Sequence, residues 1–147
     1  MTTATAVTYR LAGNADGPAI GALYQACDYG DLGVDWTTAS LGGWWLLAER
    51  AGEVVGAIQV CASRPCGFLG DCLVRPEARA RDDAGGGQFG RPGRVTLMLY
   101  AHALKALRNS GCQVVLGVTT KPGLKRILTR NGAVSLGATE LFAKGLR

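Results

Sequence analysis

The stretch from Trp44 to Val74 most narrows what this chain can fold into. Residues 44–49 (WWLLAE) and 53–62 (EVVGAIQVCA) are apolar runs separated only by Arg50, Ala51 and Gly52. So short a connection makes the two strands antiparallel. RPCG supplies a further turn, and FLGDCLVRP begins a third strand at Phe68, which Pro76 ends by removing a backbone donor. The three are expected to be sequential neighbours in an antiparallel meander. Val54, Ile58, Leu69 and Leu73 are expected inside, together with Val115 and Leu116 from the later run CQVVLGVTT. That run is continuously apolar, as in a strand buried on both faces and paired in parallel.

Between the meander and that run lies VTLMLYAHALKALRNSG, read as a helix over 95–109 with Gly111 as its C-terminal stop. Val95, Leu97, Met98, Ala101, Leu104 and Leu107 are its expected buried stripe. A strand over 6–12 and a helix from about Pro18 through Cys27, with Asp16 at its N-cap, precede the meander. A short helix over 36–41 is expected next. KPGLKRILTRNG reads as a basic helix closed by Asn131 and Gly132, and AVSLGATELFAKGL as one last strand bent at Gly137. A meander followed by a strand-helix-strand crossover gives an α/β fold, a mixed sheet flanked by helices, in a chain of 147 residues sized for one domain.

Composition excludes several classes. No apolar run reaches the ~20 residues of a membrane span. The N-terminus lacks the basic and apolar regions of a secretory signal, so the expected location is cytoplasmic. Five cysteines without a CxxC and a single histidine, His102, suggest neither a disulfide framework nor a metal site. The net charge of +5 gathers partly around one loop, through Arg75, Arg79, Arg81, Arg91 and Arg94, and again at Lys121, Lys125, Arg126 and Arg130. Such clusters suit a phosphate-bearing ligand or nucleic acid, although no recognised nucleic-acid motif accompanies them.

That loop begins where the third strand ends, in CLVRPEARARDDAGGGQFGRPG, and delivers the chain to the N-terminus of the long helix. Backbone N–H groups and the helix dipole converge on an anion there. The order of elements, the hairpin WWLLAERAGEVVGAIQV and the strand end LVRPEAR resemble the GCN5-related N-acetyltransferases (GNAT) over nearly the whole chain. The resemblance implies an acyl-CoA N-acyltransferase fold and acetyl-CoA as cofactor, with Leu73 and Val74 along the pantetheine arm. The family's pyrophosphate loop, Gln/Arg-x-x-Gly-x-Gly/Ala, matches in two registers. Starting at Arg79 it sets Asp82 where glycine belongs; starting at Gln88 it keeps Gly93, with Gly90, Arg91 and Arg94 near the phosphates, after an insertion of about eight or nine residues. The second register is preferred, and segment 80–87 is expected to project as a mobile loop.

The family's usual tyrosine acid falls on Leu128, counted back from Gly132, and the asparagine near that helix's start falls on Lys121. Asp71 is the best-placed carboxylate for a base, ahead of Glu49 and Glu53; Trp36, Trp44 and Trp45 are candidates for an acceptor groove. The acceptor implied is a small-molecule or protein amine. The alternative is a catalytically degenerate member serving in a homo- or hetero-oligomeric assembly, including a bacteriophage virion.

Overall fold

The computed structural model describes residues 6–30, 44–82, 93–118, 126, 128–130, 132–135 and 141–145. Their elements are β1 (Val7–Leu11), α1 (Gly17–Ala26), β2 (Trp44–Arg50), β3 (Glu53–Ser63), β4 (Cys66–Val74), α2 (Pro76–Asp82), α3 (Arg94–Asn109), β5 (Val114–Val118), β6 (Val134–Ser135) and β7 (Leu141–Gly145). The strands form one seven-stranded sheet in the order β1-β2-β3-β4-β5-β7-β6. Only the β4–β5 pair is parallel. The mixed sheet, the meander and the crossover through α3 therefore stand as the sequence implies.

The β2–β3 hairpin turns on Ala51 and Gly52, with φ of +52° and +79°. Positive φ at both central residues matches the turn's twist to that of the strands, and glycine takes the second place without strain. The alternating strands bury both faces. Leu46, Ala48, Ile58, Val60 and Val74 meet Val95, Leu99, Ala103 and Leu107 of α3, while Trp45, Leu47, Ala57 and Leu73 meet Ile20, Leu23 and Tyr24 of α1. Two glycines set how closely α3 sits. A Cβ at Gly56 would come within 3.2 Å of Leu99, and one at Gly67 within 2.6 Å of Leu107.

Those close approaches rotate the α3 stripe from the expected one. Val95 and Leu107 are buried, but Leu99, Tyr100 and Ala103 join them, while Leu97, Met98 and Ala101 are exposed and Leu104 is half-buried. The helix is apolar on more than one side, so periodicity alone leaves its rotation undetermined. Val54 and Leu116, expected inside, are half-buried; Ile58, Leu69, Leu73 and Val115 are buried. β4 begins at Cys66, two residues before the expected Phe68.

The final segment differs most. In place of one bent strand, β6 and β7 pair antiparallel, Val134 with Ala143 and Ser135 with Phe142, and β7 lies between β6 and β5. Both strands lie in a run without a strong turn dipeptide, which hid the reversal. Asp16 does occupy the N-cap position of α1, but its carboxylate takes Arg10 at 2.8 Å and the Gly13 N–H at 2.7 Å instead of capping. Segment 80–87 is not all loop, since α2 carries the helix through Asp82. Its remainder, the expected helix 36–41 and the bend at Gly137 lie outside the described residues.

Candidate active site

β4 changes partners halfway along. Between the pairs Ile58–Cys72 and Val60–Leu69, β3 advances two residues while β4 advances three. The extra residue falls at Gly70–Asp71, and such a bulge bends the strand that carries it. At Gly70 the Gln59 side chain occupies the space that a Cβ would take. Pairing of β4 with β5 ends at the same place, with Leu69 opposite Gly117. Among the described residues, Gly70 to Val74 thus lie beside β3 on one edge and have no strand partner on the other.

Asp71 stands at the bulge, exposed. The Tyr24 hydroxyl donates to its Oδ2 at 2.7 Å. Tyr24 is only 7% exposed and is braced edge-on by Trp45, with ring centroids 6.2 Å apart, and by Tyr29 at 5.5 Å. Burial raises the Tyr24 phenol pKa well above 10.0, and the bond to Asp71 adds to the rise. Tyr29, 44% exposed, is raised as well, first by burial and then by the Asp71 charge. The arrangement fixes one carboxylate oxygen against a rigid ring and leaves a charged group at the mouth of the opening.

The chain returns past this edge at α2. Arg79 Nε donates to the Val74 carbonyl at 2.7 Å, Cys27 Sγ donates to the same oxygen at 3.4 Å, and Arg79 Nη2 lies 3.3 Å from the Cys27 sulfur. Beyond α2 the crossover reaches Gly93, the N-cap of α3, with φ −65° and ψ 164°. Its carbonyl accepts the Leu97 N–H at 3.1 Å, and among the described residues no side chain caps the helix. The first-turn N–H groups of α3 have no intrahelical acceptor and face the end of the crossover, where an anion is favoured. Because α3 returns the chain to a strand parallel to β4, this helix start lies at the C-terminal end of β4. An open edge for an amide-bearing arm and an uncapped helix end for phosphates fit an acyl-CoA.

The other sequence candidates divide. Leu73 is buried against α1, Val74 against α3, and Arg94 is exposed on the first turn of α3. Gln88, Gly90 and Arg91 lie outside the described residues, as do Trp36, Lys121 and Lys125. Glu49 pairs with Arg10 at 2.8 Å, and Glu53, with Glu77 of α2, flanks Arg75 at 3.4 and 3.8 Å, so both hairpin carboxylates are engaged in ion pairs. Trp45 packs under Tyr24, whereas Trp44 lies on the opposite face of β2. His102 stacks on Tyr9 at 4.7 Å. Leu128 is half-buried, its carbonyl accepting the Ala133 N–H at 2.8 Å, with Gly132 at φ +82° closing the turn.

Sequence reasoning missed Tyr24, Tyr29 and the Cys27–Arg79 contact. Tyr24 read as one apolar residue of an amphipathic helix, and only the register of α1 on β4 reveals its partner. Among the described residues, no group of three or more His, Cys, Asp or Glu side chains is arranged to hold a metal, and no helix is long and apolar enough to cross a membrane.

The fold is that of a known class of solved structures. The chain is similar to the ribosomal-protein-S18-alanine N-acetyltransferase of Escherichia coli, with a TM-score of 0.75 at 12% identity, over 96% of this chain and 94% of that one. It is similar to a GNAT family N-acetyltransferase from Escherichia coli in complex with CoA, with a TM-score of 0.71 at 15% identity over 100% and 85% of the two chains. A third is the PaiA N-acetyltransferase of Thermoplasma acidophilum in complex with coenzyme A, at 0.69 and 11% over 95% and 99%. No family model matches the chain, and no curated protein matches it in sequence. At such identities the likeness establishes architecture. The chain has the GNAT fold.

Proposed function

We propose that this chain is an acyl-CoA-dependent N-acyltransferase, with acetyl-CoA as donor and a small-molecule or protein amine as acceptor. The observation that carries the reading is the bulge in β4, beyond which the strand has no β5 partner among the described residues and an exposed carboxylate is held by a tyrosine. The GNAT neighbours solved with CoA support the choice of cofactor. In this reading residues 1–147 act as one domain, in the cytoplasm.

The cofactor, when bound, supplies the acyl group as a thioester. The outer edge of β4 at Val74, with Leu73 beside it, would hold its arm; the N–H groups of Gly93 and Arg94, with Gln88, Gly90 and Arg91, would take its pyrophosphate. Asp71 would accept the proton of the acceptor amine. Leu128 has no proton to give, so solvent would protonate the departing thiol.

Asp71→Asn keeps the shape and removes the base. CoA release, followed by thiol detection with a panel of monoamines, polyamines and peptide amines, should fall about 10²–10⁴-fold. Affinity for CoA by calorimetry should stay unchanged. If the wild-type protein shows no binding at millimolar acetyl-CoA, the enzyme reading is wrong and an assembly role takes its place.

A further inference from the structure

The Val74 carbonyl oxygen sits at a junction that the acyltransferase reading leaves unexplained. The Arg75 N–H donates to Val55 O at 2.9 Å. In an antiparallel ladder, alternate residues turn both backbone groups towards the partner and the ones between turn both away. Arg75 and Leu73 therefore face β3. A Cβ on Gly56 of β3 would meet Leu73 O at 3.2 Å, which agrees. Val74 faces the open edge.

A carbonyl oxygen has two lone pairs. Arg79 Nε takes one at 2.7 Å and Cys27 Sγ the other at 3.4 Å. A strand edge without a strand partner is recognised by an extended chain that adds its own amides to the ladder, and Val74 has none among the described residues, though it is only 3% exposed beneath its two side-chain donors. Any such ligand N–H aimed at Val74 O has to displace a donor already there. The two donors are unequal: the guanidinium bond is short and charge-assisted, and the thiol is a weak donor at long range. Arg79 also holds the sulfur at 3.3 Å, so a released Cys27 keeps one partner. The thiol is the one that yields.

We propose that Cys27 is a displaceable plug on the open edge of β4, giving up Val74 O to the amide of an incoming ligand arm while Arg79 keeps its own bond. The proposal rests on the acyl-CoA reading and deepens it, making Cys27 a residue that lowers affinity for the arm and Arg79 the fixed half of the contact.

The test is calorimetric titration of the full chain with pantetheine, CoA and ADP, the last having the adenosine and phosphates without the amide arm. Removing the S–H donor in Cys27→Ala should tighten pantetheine and CoA about two- to tenfold, the range of one modest hydrogen bond. ADP should be unaffected. Cys27→Ser, which restores a donor of similar size, should return pantetheine to wild-type affinity or weaker, and this separates the bond from a change in packing. Unchanged or weaker pantetheine binding in Cys27→Ala, with a wild-type thermal midpoint, overturns the plug while CoA binding sustains the acyl-CoA reading. Loss of CoA binding in the wild type and both variants would overturn that reading and the plug together.

Discussion

The two halves of β4 are built for different ends. From Cys66 to Leu69 the strand is paired on both edges, antiparallel to β3 and parallel to β5, and Gly67 lets Leu107 of α3 press onto it. From Gly70 to Val74 only the β3 edge is paired among the described residues, and on or against this half lie Asp71, Tyr24, Cys27 and Arg79. One extra residue at the bulge divides them. The lower half meets its backbone requirements with backbone, as a buried strand must. In the upper half the Val74 carbonyl meets them with side chains, which exchange for a ligand far more easily than a strand does. A site of this kind needs a place where the ladder has been given up beside one where it has not.

The sharpest way to break the comparison is at the glycine of the lower half. Gly67→Ala places a methyl group 2.6 Å from Leu107 Cδ2 and 2.8 Å from Cδ1, against a fully buried side chain. Overpacking of this sort costs about 1–3 kcal/mol. Urea unfolding should show the loss, and CoA affinity of the folded protein should be kept. If affinity falls with stability, the halves are coupled through α3 and the division is false.

The next effect is smaller and lies above the bulge. Tyr24→Phe removes the hydroxyl that holds Asp71, a loss of about 1 kcal/mol for one hydrogen bond. Its signature is in pH. Burial first, and then the Asp71 carboxylate (after Cys72 in the case of Tyr100), raise the phenols of Tyr24, Tyr29 and Tyr100 above the ordinary 10.0. The folded chain keeps these protons at a pH where the unfolded chain loses them. Their stabilising contribution is therefore full below pH 10 and declines as pH rises beyond it, with a slope of at most ~1.4 kcal/mol per pH unit for each phenol. Unfolding free energies at successive pH values above 10 should decline less steeply in Tyr24→Phe than in wild type. Equal slopes would mean that Tyr24 ionises in the folded state as freely as in water.

How much of this was legible in the sequence follows the same division. The hairpin, the meander, α3 and the β5 crossover each come from a local pattern: a short turn, an apolar run, a helical repeat with a glycine stop. Asp71 was found because it is the one carboxylate in FLGDCLV. The bulge was not found, since a single extra residue leaves no periodic trace in a strand nine residues long. The Tyr24–Asp71 bond spans 47 positions, and the Cys27 bond to Val74 also spans 47. Both depend on how α1 docks on the sheet, which no local pattern encodes. The rotation of α3 was hidden for another reason: its apolar residues outnumber those one face can bury, and Gly56 and Gly67 on the opposing strands decide which go in.

The smallest effect is expected at the glycine of the upper half. Gly70 sits at the bulge, three residues from Gly67 on the same strand, and the same substitution there meets a different neighbour. A Cβ would collide with the flexible amide end of Gln59 and lie 3.0 Å from its Cβ, which must give by a few tenths of an ångström, and it would not meet a helix residue locked in the core. Gln59 is half-buried on β3 and can swing its amide aside at the cost of its present contact. Against that cost, replacing glycine by alanine reduces the freedom of the unfolded chain, which stabilises by about 0.4–1 kcal/mol where the backbone tolerates it. Gly70 is not among the glycines with positive φ, so it does tolerate it. The two terms nearly cancel, and Gly70→Ala should shift unfolding free energy by less than ~0.5 kcal/mol. A loss as large as that of Gly67→Ala would show that Gln59 locks the bulge, and that the opened half of β4 is held as rigidly as the closed one.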